Sequence, residues 1–148
     1  MEIRPAVASD AVEIAAVMRA AMMFHKWMPL LHTPVEDRAF VTQLVEHSHV
    51  LVAVALSGEI VGYASTGGEW LEQLYVRPDC FGQGVGAALL ATATETMTCV
   101  RLNCFSQNTG ARRFYERHGF RVESFSDGQG NEERLPDIQY VRREFSVD

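Results

Sequence analysis

The chain has 148 residues, 47% of them hydrophobic and 22% charged, a composition suited to a soluble fold built on one core. A formal net charge of −6 without a clustered run of Lys and Arg argues against nucleic acid as a partner, and apolar runs such as Val50 to Leu56 are far too short to cross a bilayer. With no basic segment followed by an apolar one at the N-terminus, the expected setting is cytoplasmic, with no membrane partner.

In chain order, Glu2 to Arg4 opens the sheet as a short strand. Ser9 or Asp10 caps a helix in which Ile14, Val17, Met18 and Ala21 recur at helical spacing. Thr33-Pro34-Val35-Glu36 predicts a second helix start, with a hydroxyl at the N-cap, proline at the first helical position and glutamate at the third. Phe40, Val41, Leu44 and Val45 mark one face of that helix. Val50 to Leu56 and Glu59 to Thr66, joined through Ser57 and Gly58, read as a β-hairpin. Trp70 to Val76 follows Gly67 and Gly68 as a third strand and ends before Pro78.

Val85, Leu89, Ala93 and Met97 form the apolar stripe of a third helix, weakened by the threonines from Thr92 to Thr98. Val100 to Phe105 is a strand; a fourth helix then carries Ala111, Phe114 and Tyr115 from an Asn108 cap and stops at Gly119. Phe120 to Phe125 and Ile138 to Phe145 are the last strands, separated by an exposed loop from Ser126 to Pro136. The order predicts an α/β (α+β mixed) fold, one domain over residues 1–148, with antiparallel neighbours among the three consecutive strands and a parallel pairing across the strand, helix, strand passage from Trp70 to Phe105. Cys80, Cys99 and Cys104 are odd in number and, like the five histidines, lack metal-ligand spacing; free thiols and no metal are expected.

The sharpest local feature is the strand from Leu71 to Val76, then Arg77-Pro78-Asp79-Cys80, then Phe81-Gly82-Gln83-Gly84-Val85-Gly86 and a helix from Ala87. Glycines let a backbone approach a ligand closely, and a helix start offers unpaired N–H groups at the positive end of the macrodipole, a phosphate or pyrophosphate cradle. A tight strand-to-helix turn is the alternative for such a loop taken alone. A nucleotide-hydrolysing loop would continue with lysine and a hydroxyl, but here Ala87-Ala88-Leu89 follows and Lys26 is the only lysine. A dinucleotide fold would place the loop after the first strand of a repeated unit, whereas three strands precede this one.

Leu74-Tyr75-Val76-Arg77-Pro78, the loop ending Gly84-Val85-Gly86, the Leu89-Leu90 helix, and Asn108 followed by Ala111-Arg112-Arg113-Phe114-Tyr115-Glu116-Arg117-His118-Gly119-Phe120 together resemble the GNAT superfamily of N-acetyltransferases, over roughly residues 50 to 125. The resemblance implies a central mixed sheet of about six to seven strands flanked by about four helices. It implies acetyl-CoA in a cleft where the strand ending at Val76 and the strand ending near Phe105 splay apart. Leu74, Tyr75 and Val76 would meet the pantetheine arm, Phe81, Gly82, Gln83, Gly84, Val85, Gly86 and Ala87 the pyrophosphate, and Asn108 and Ala111 the pantetheine side. The family's loop usually opens with Gln or Arg where this chain has Phe81, which keeps a non-catalytic acyl-CoA-binding or sensor domain as the alternative.

Acetyl transfer by direct attack in a ternary complex needs a neutral amine, a stabilised oxyanion and a proton for the departing thiolate. Glu72, two residues before Leu74, is the first candidate base; alternation would turn Glu72, Leu74 and Val76 to one face. Glu69 is the second, and Asn103 on the other cleft strand cannot serve as a base. Tyr115 matches the family's general acid, set against a plain packing role beside Phe114. The acceptor is a small-molecule or peptide amine of unspecified identity, with Phe24 to Thr33 and Trp70 as candidate contacts, and a homodimer is left open.

Overall fold

The computed structural model describes residues 1–144, in two compact units, Met1–Glu95 and the residues from Thr96 onward. In the first unit, β1 (Glu2–Pro5), β2 (His49–Val54), β3 (Ile60–Gly67) and β4 (Trp70–Val76) form an antiparallel sheet in that order. Strand alternation sends Val50, Val52 and Tyr63 to one face, where they pack on Ile14, Val17 and Met18 of α1 (Ala11–Met23) and Val41 of α2 (Pro34–His47). Each fully buried side chain of this kind stabilises by about 1.5–3 kcal/mol. The opposite face receives α3 (Val85–Ala93): a Cβ built on Gly62 would lie 3.0 Å from Leu89 Cδ1 and 3.1 Å from Val85 Cγ1. Gly62 is therefore the notch that lets the first turns of α3 sit close against β3.

The capping box of α2 is complete. Thr33 Oγ1 accepts from the Glu36 N–H at 3.2 Å, and Glu36 Oε1 accepts from the Thr33 N–H at 2.8 Å. Two expectations about helix ends need correction. Asp10 stands at the N-cap of α1 without capping it: its carboxylate accepts from the Val7 N–H at 2.8 Å and pairs with Arg4 at 2.8 Å. α3 ends at Ala93, one turn short of Met97, where Thr94 donates its hydroxyl back to the Leu90 carbonyl at 2.7 Å.

The second unit holds β5 (Cys99–Phe105), α4 (Thr109–Arg117), β6 (Arg121–Ser126) and β7 (Asp137–Arg143), with β7 antiparallel between β5 and β6. Asn108 Oδ1 caps α4 through the Ala111 N–H at 3.1 Å. At the other end Gly119 takes φ 90°, and the Phe120 and Gly119 N–H groups return to the Tyr115 and Glu116 carbonyls at 3.1 and 3.2 Å, a Schellman closure with Phe120 folded under Tyr115. β7 begins one residue earlier than expected, and Phe145 lies outside the described residues. Among the described residues no helix is long and apolar enough to cross a membrane.

One titration in this unit makes a testable prediction. Hydrogen bonds from Arg101, then Gln139, hold the Glu123 carboxyl down at about 2, below its ordinary 4.5. A depressed folded value gives stabilisation fully present above about 4.5 and lost as pH falls toward 2. Glu123→Gln should therefore narrow its stability gap from the parent as urea midpoints are taken from pH 6 down to about pH 2.5, with a modest effect because the groups are partly exposed. A gap independent of pH would assign the Glu123 contribution to packing.

Candidate functional site

β4 delivers the chain to the glycine loop. Its pairing with β3 continues through the Arg77 N–H, which donates to the Val61 carbonyl at 2.8 Å, and Pro78 then starts a 3-10 turn over Pro78–Cys80. Arg77 is tied to Asp79 at 2.7 Å and Glu59 at 3.4 Å, which holds its guanidinium beside this turn. Gly82 and Gly84 then adopt φ 75° and 83°, the left-handed region that suits glycine, and a Cβ on either would meet no atom within 4 Å. Open space lies in front of the backbone there.

Gly84 is the N-cap of α3 and supplies no side chain, so no side-chain hydrogen bond closes this helix start. The Gly84 carbonyl accepts from the Ala88 N–H at 3.0 Å, which leaves the preceding amides of Val85, Gly86 and Ala87 without the intrahelical acceptors of later turns. Uncapped amides, a positive dipole end and open space beside Gly82 and Gly84 are a donor set that suits a pyrophosphate. The Phe81 ring at the loop entrance stands edge-on to Phe24, 5.1 Å between centroids, and both are exposed. Phe24 in turn meets His25, which stacks on Trp27 at 4.8 Å, so the segment after α1 is linked by aromatic contacts to the loop. Arg19 braces the same segment by pairing with the buried Asp37 at 2.8 Å and donating to the His32 carbonyl. Sequence spacing gave no signal for these contacts.

Glu72 departs from the expected geometry. Register shifts between β3 and β4, so that Ser65 faces Gln73 while Thr66 faces Leu71, and Glu72 is the extra residue of a β-bulge. The bulge interrupts alternation. Tyr63, Ser65 and Gly67 share one face of β3, and a Cβ on Gly67 would lie 2.6 Å from Glu72 Oε2. Glu72 thus turns toward the face where Tyr63 donates to Gln73 at 2.9 Å, away from Leu74 and Val76. That is the face covered by α1 and α2.

In the second unit, Asn108 Oδ1 serves the α4 cap, and the same side chain carries two further donors on Nδ2. Tyr115 is buried between Phe114, Phe120 and Tyr140, with centroids 5.3, 5.6 and 6.4 Å away. Tyr140 donates to Glu116 at 2.7 Å and accepts from Arg112 at 3.3 Å. Burial pushes the Cys104 thiol up to about 12, which keeps it protonated and unsuited to nucleophilic work.

The family model for the acetyltransferase (GNAT) domain matches residues 46–122, more than half of the chain. The peptidyl-lysine N-acetyltransferase YjaB of Escherichia coli is 31% identical over 74% of this chain and 74% of its own length. The chain belongs to the GNAT superfamily of N-acetyltransferases. YjaB of Salmonella typhimurium is 33% identical over 62% of this GNAT chain, an alignment that spans 63% of the Salmonella protein's length. The solved structure of E. coli YjaB in its apo form covers 95% of both chains with a TM-score of 0.78 and 23% identity. A GNAT phosphinothricin acetyltransferase from Sinorhizobium meliloti, solved in complex with acetyl-CoA, covers 96% of this chain and 87% of its own, with a TM-score of 0.76 and 19% identity. The α/β fold read from the sequence is the GNAT fold, here with seven strands and four α-helices among the described residues.

Proposed function

We propose that residues 1–148 act as one acetyltransferase domain that moves the acetyl group of acetyl-CoA to the side-chain amine of a lysine in a peptide or protein. The observation that carries this reading is the glycine-opened start of α3 without a side-chain cap, a donor arrangement suited to a pyrophosphate. The YjaB relatives, named as peptidyl-lysine N-acetyltransferases, support a lysine acceptor, as does a net charge of −6 that favours approach of a cation.

Acetyl-CoA supplies a thioester carbonyl, at which a C–N bond forms as the C–S bond breaks. In the first unit the amides of Val85, Gly86 and Ala87 bind its pyrophosphate, with Gly82, Gln83 and Phe81 shaping the loop ahead of them, and Leu74, Tyr75 and Val76 meet the pantetheine arm; in the second, Asn108 and Ala111 are the residues assigned to pantetheine by the family resemblance. A lysine ammonium, with pKa about 10.4, is almost wholly charged at neutral pH, and Glu72 takes its first proton, directly or through water. Tyr115 gives a proton to the departing thiolate and recovers one from the nascent amide through solvent. The products are the amide, free CoA and one proton.

Incubation with acetyl-CoA and a panel of lysine peptides, α-amino peptides, polyamines and small amines, followed by CoA thiol release and product mass, tests this reading. Release with lysine peptides is expected. Tight calorimetric binding without release over the whole panel would establish the acyl-CoA-binding alternative. Glu72→Gln should keep the fold and cofactor affinity, lose about 10²-fold or more in kcat/KM at neutral pH, and recover part of it at high pH where free amine is abundant. A neutral-pH rate equal to the parent's would move the base to another group, with Glu69 next.

A further inference from the structure

We propose that Gly67 is a positioning residue for Glu72, its missing side chain being the space that holds the carboxylate in its working posture; this rests on the reading of Glu72 as the base. Gly67 and Gly68 occur together in the sequence, but they differ in the fold. Gly68 has φ 59° and makes the turn, whereas Gly67 is the last residue of β3, paired with Trp70, outside the positive-φ glycines. Alanine could adopt the Gly67 backbone. Glycine in a strand also weakens it, so a glycine kept at an ordinary strand position calls for a steric reason.

That reason is on the opposite strand. The three nearest atoms to a Cβ built on Gly67 are Glu72 Oε2 at 2.6 Å, Cδ at 3.3 Å and Oε1 at 3.8 Å. A methyl group there would overlap the carboxylate alone among these nearest neighbours, and the carboxylate sits at the end of a side chain able to swing away. The bulge is the second half of the arrangement, because without the register shift Glu72 would point to the Leu74 face and never reach Gly67. Bulge and glycine together aim one acidic group, and they do so from a hairpin whose strands are otherwise regularly paired.

Steady-state kinetics of Gly67→Ala over a pH series, in the parent and in a Glu72→Gln background, provide the test, with the lysine peptide and acetyl-CoA as substrates. In the parent, Gly67→Ala should lower kcat/KM at neutral pH about 10-fold to 10²-fold, displace the ascending limb of the pH profile, and leave CoA affinity by calorimetry within about twofold. In the Glu72→Gln background the same change should cost less than about twofold, since the group it displaces no longer acts. Equal losses in both backgrounds, or an unchanged parent rate, would overturn the role of Gly67 while leaving Glu72 as base. A Glu72→Gln variant as fast as the parent would instead overturn the base reading, and Gly67 with it. Should Gly67→Ala fold poorly, the melting temperature of Gly67→Ala with Glu72→Ala decides: recovery to that of Glu72→Ala alone supports the contact, and a persistently low value overturns it.

Discussion

Replacing Gly84 with valine should abolish CoA binding, a loss of about 10²-fold or more in calorimetric affinity, in a protein that still folds. Gly84 holds φ 83°, where a β-branched residue is strained by about 1–3 kcal/mol, so the loop would shift to relieve it. The new side chain would also occupy the open space in front of the α3 amides, since nothing in the protein lies within 4 Å of a Cβ there. Gly84→Asn separates the two effects, because asparagine tolerates the left-handed region. Loss of affinity in both variants locates the ligand at the loop; loss in the valine variant alone locates the effect in backbone geometry. A folded valine variant with parental affinity would remove this loop as the cofactor site.

Tyr115→Phe should lower kcat by about 10²-fold or more with CoA affinity nearly unchanged, within the usual range for proton-transfer catalysis. The ring contacts with Phe114, Phe120 and Tyr140 survive in phenylalanine, and the Tyr115 carbonyl that closes the α4 terminus is main chain, so the variant keeps the helix and loses only the hydroxyl. Turnover within a factor of about two would assign Tyr115 to the core. A parallel fall in melting temperature of the kind an emptied core position causes would point the same way.

Elements governed by local chemistry were legible in the sequence. The Thr33 and Glu36 pair announced the start of α2, Asn108 and Gly119 bracketed α4, and β-branched runs around Ser57-Gly58 announced the β2–β3 hairpin, because each signal is satisfied within a few residues. Family resemblance added the fold and gave the glycine loop its candidate ligand. What the sequence hid was set by pairing between distant segments. The bulge at Glu72 depends on how β3 registers against β4, so alternation counted along β4 alone assigned Glu72 to the wrong face. Gly67 lies beyond the strand expected to end at Thr66, yet pairing with Trp70 makes it the last residue of β3. Phe81 looked like a bare departure from the family's polar residue, and only folding reveals that its ring meets Phe24 from beyond α1.

Binding of acetyl-CoA at the uncapped start of α3, as proposed, would also couple folding to the supply of the acetyl donor. A helix whose first amides are closed by no side chain leaves that task to water or to a bound anion, and a ligand that binds only the folded chain enters the folding equilibrium by mass action. At a free concentration 100 times its dissociation constant, such a ligand deepens the native well by about 2.7 kcal/mol, and at a concentration far below that constant it adds nothing. The concentration of the acetyl donor would then set the folded fraction of the chain as well as the rate at which it works.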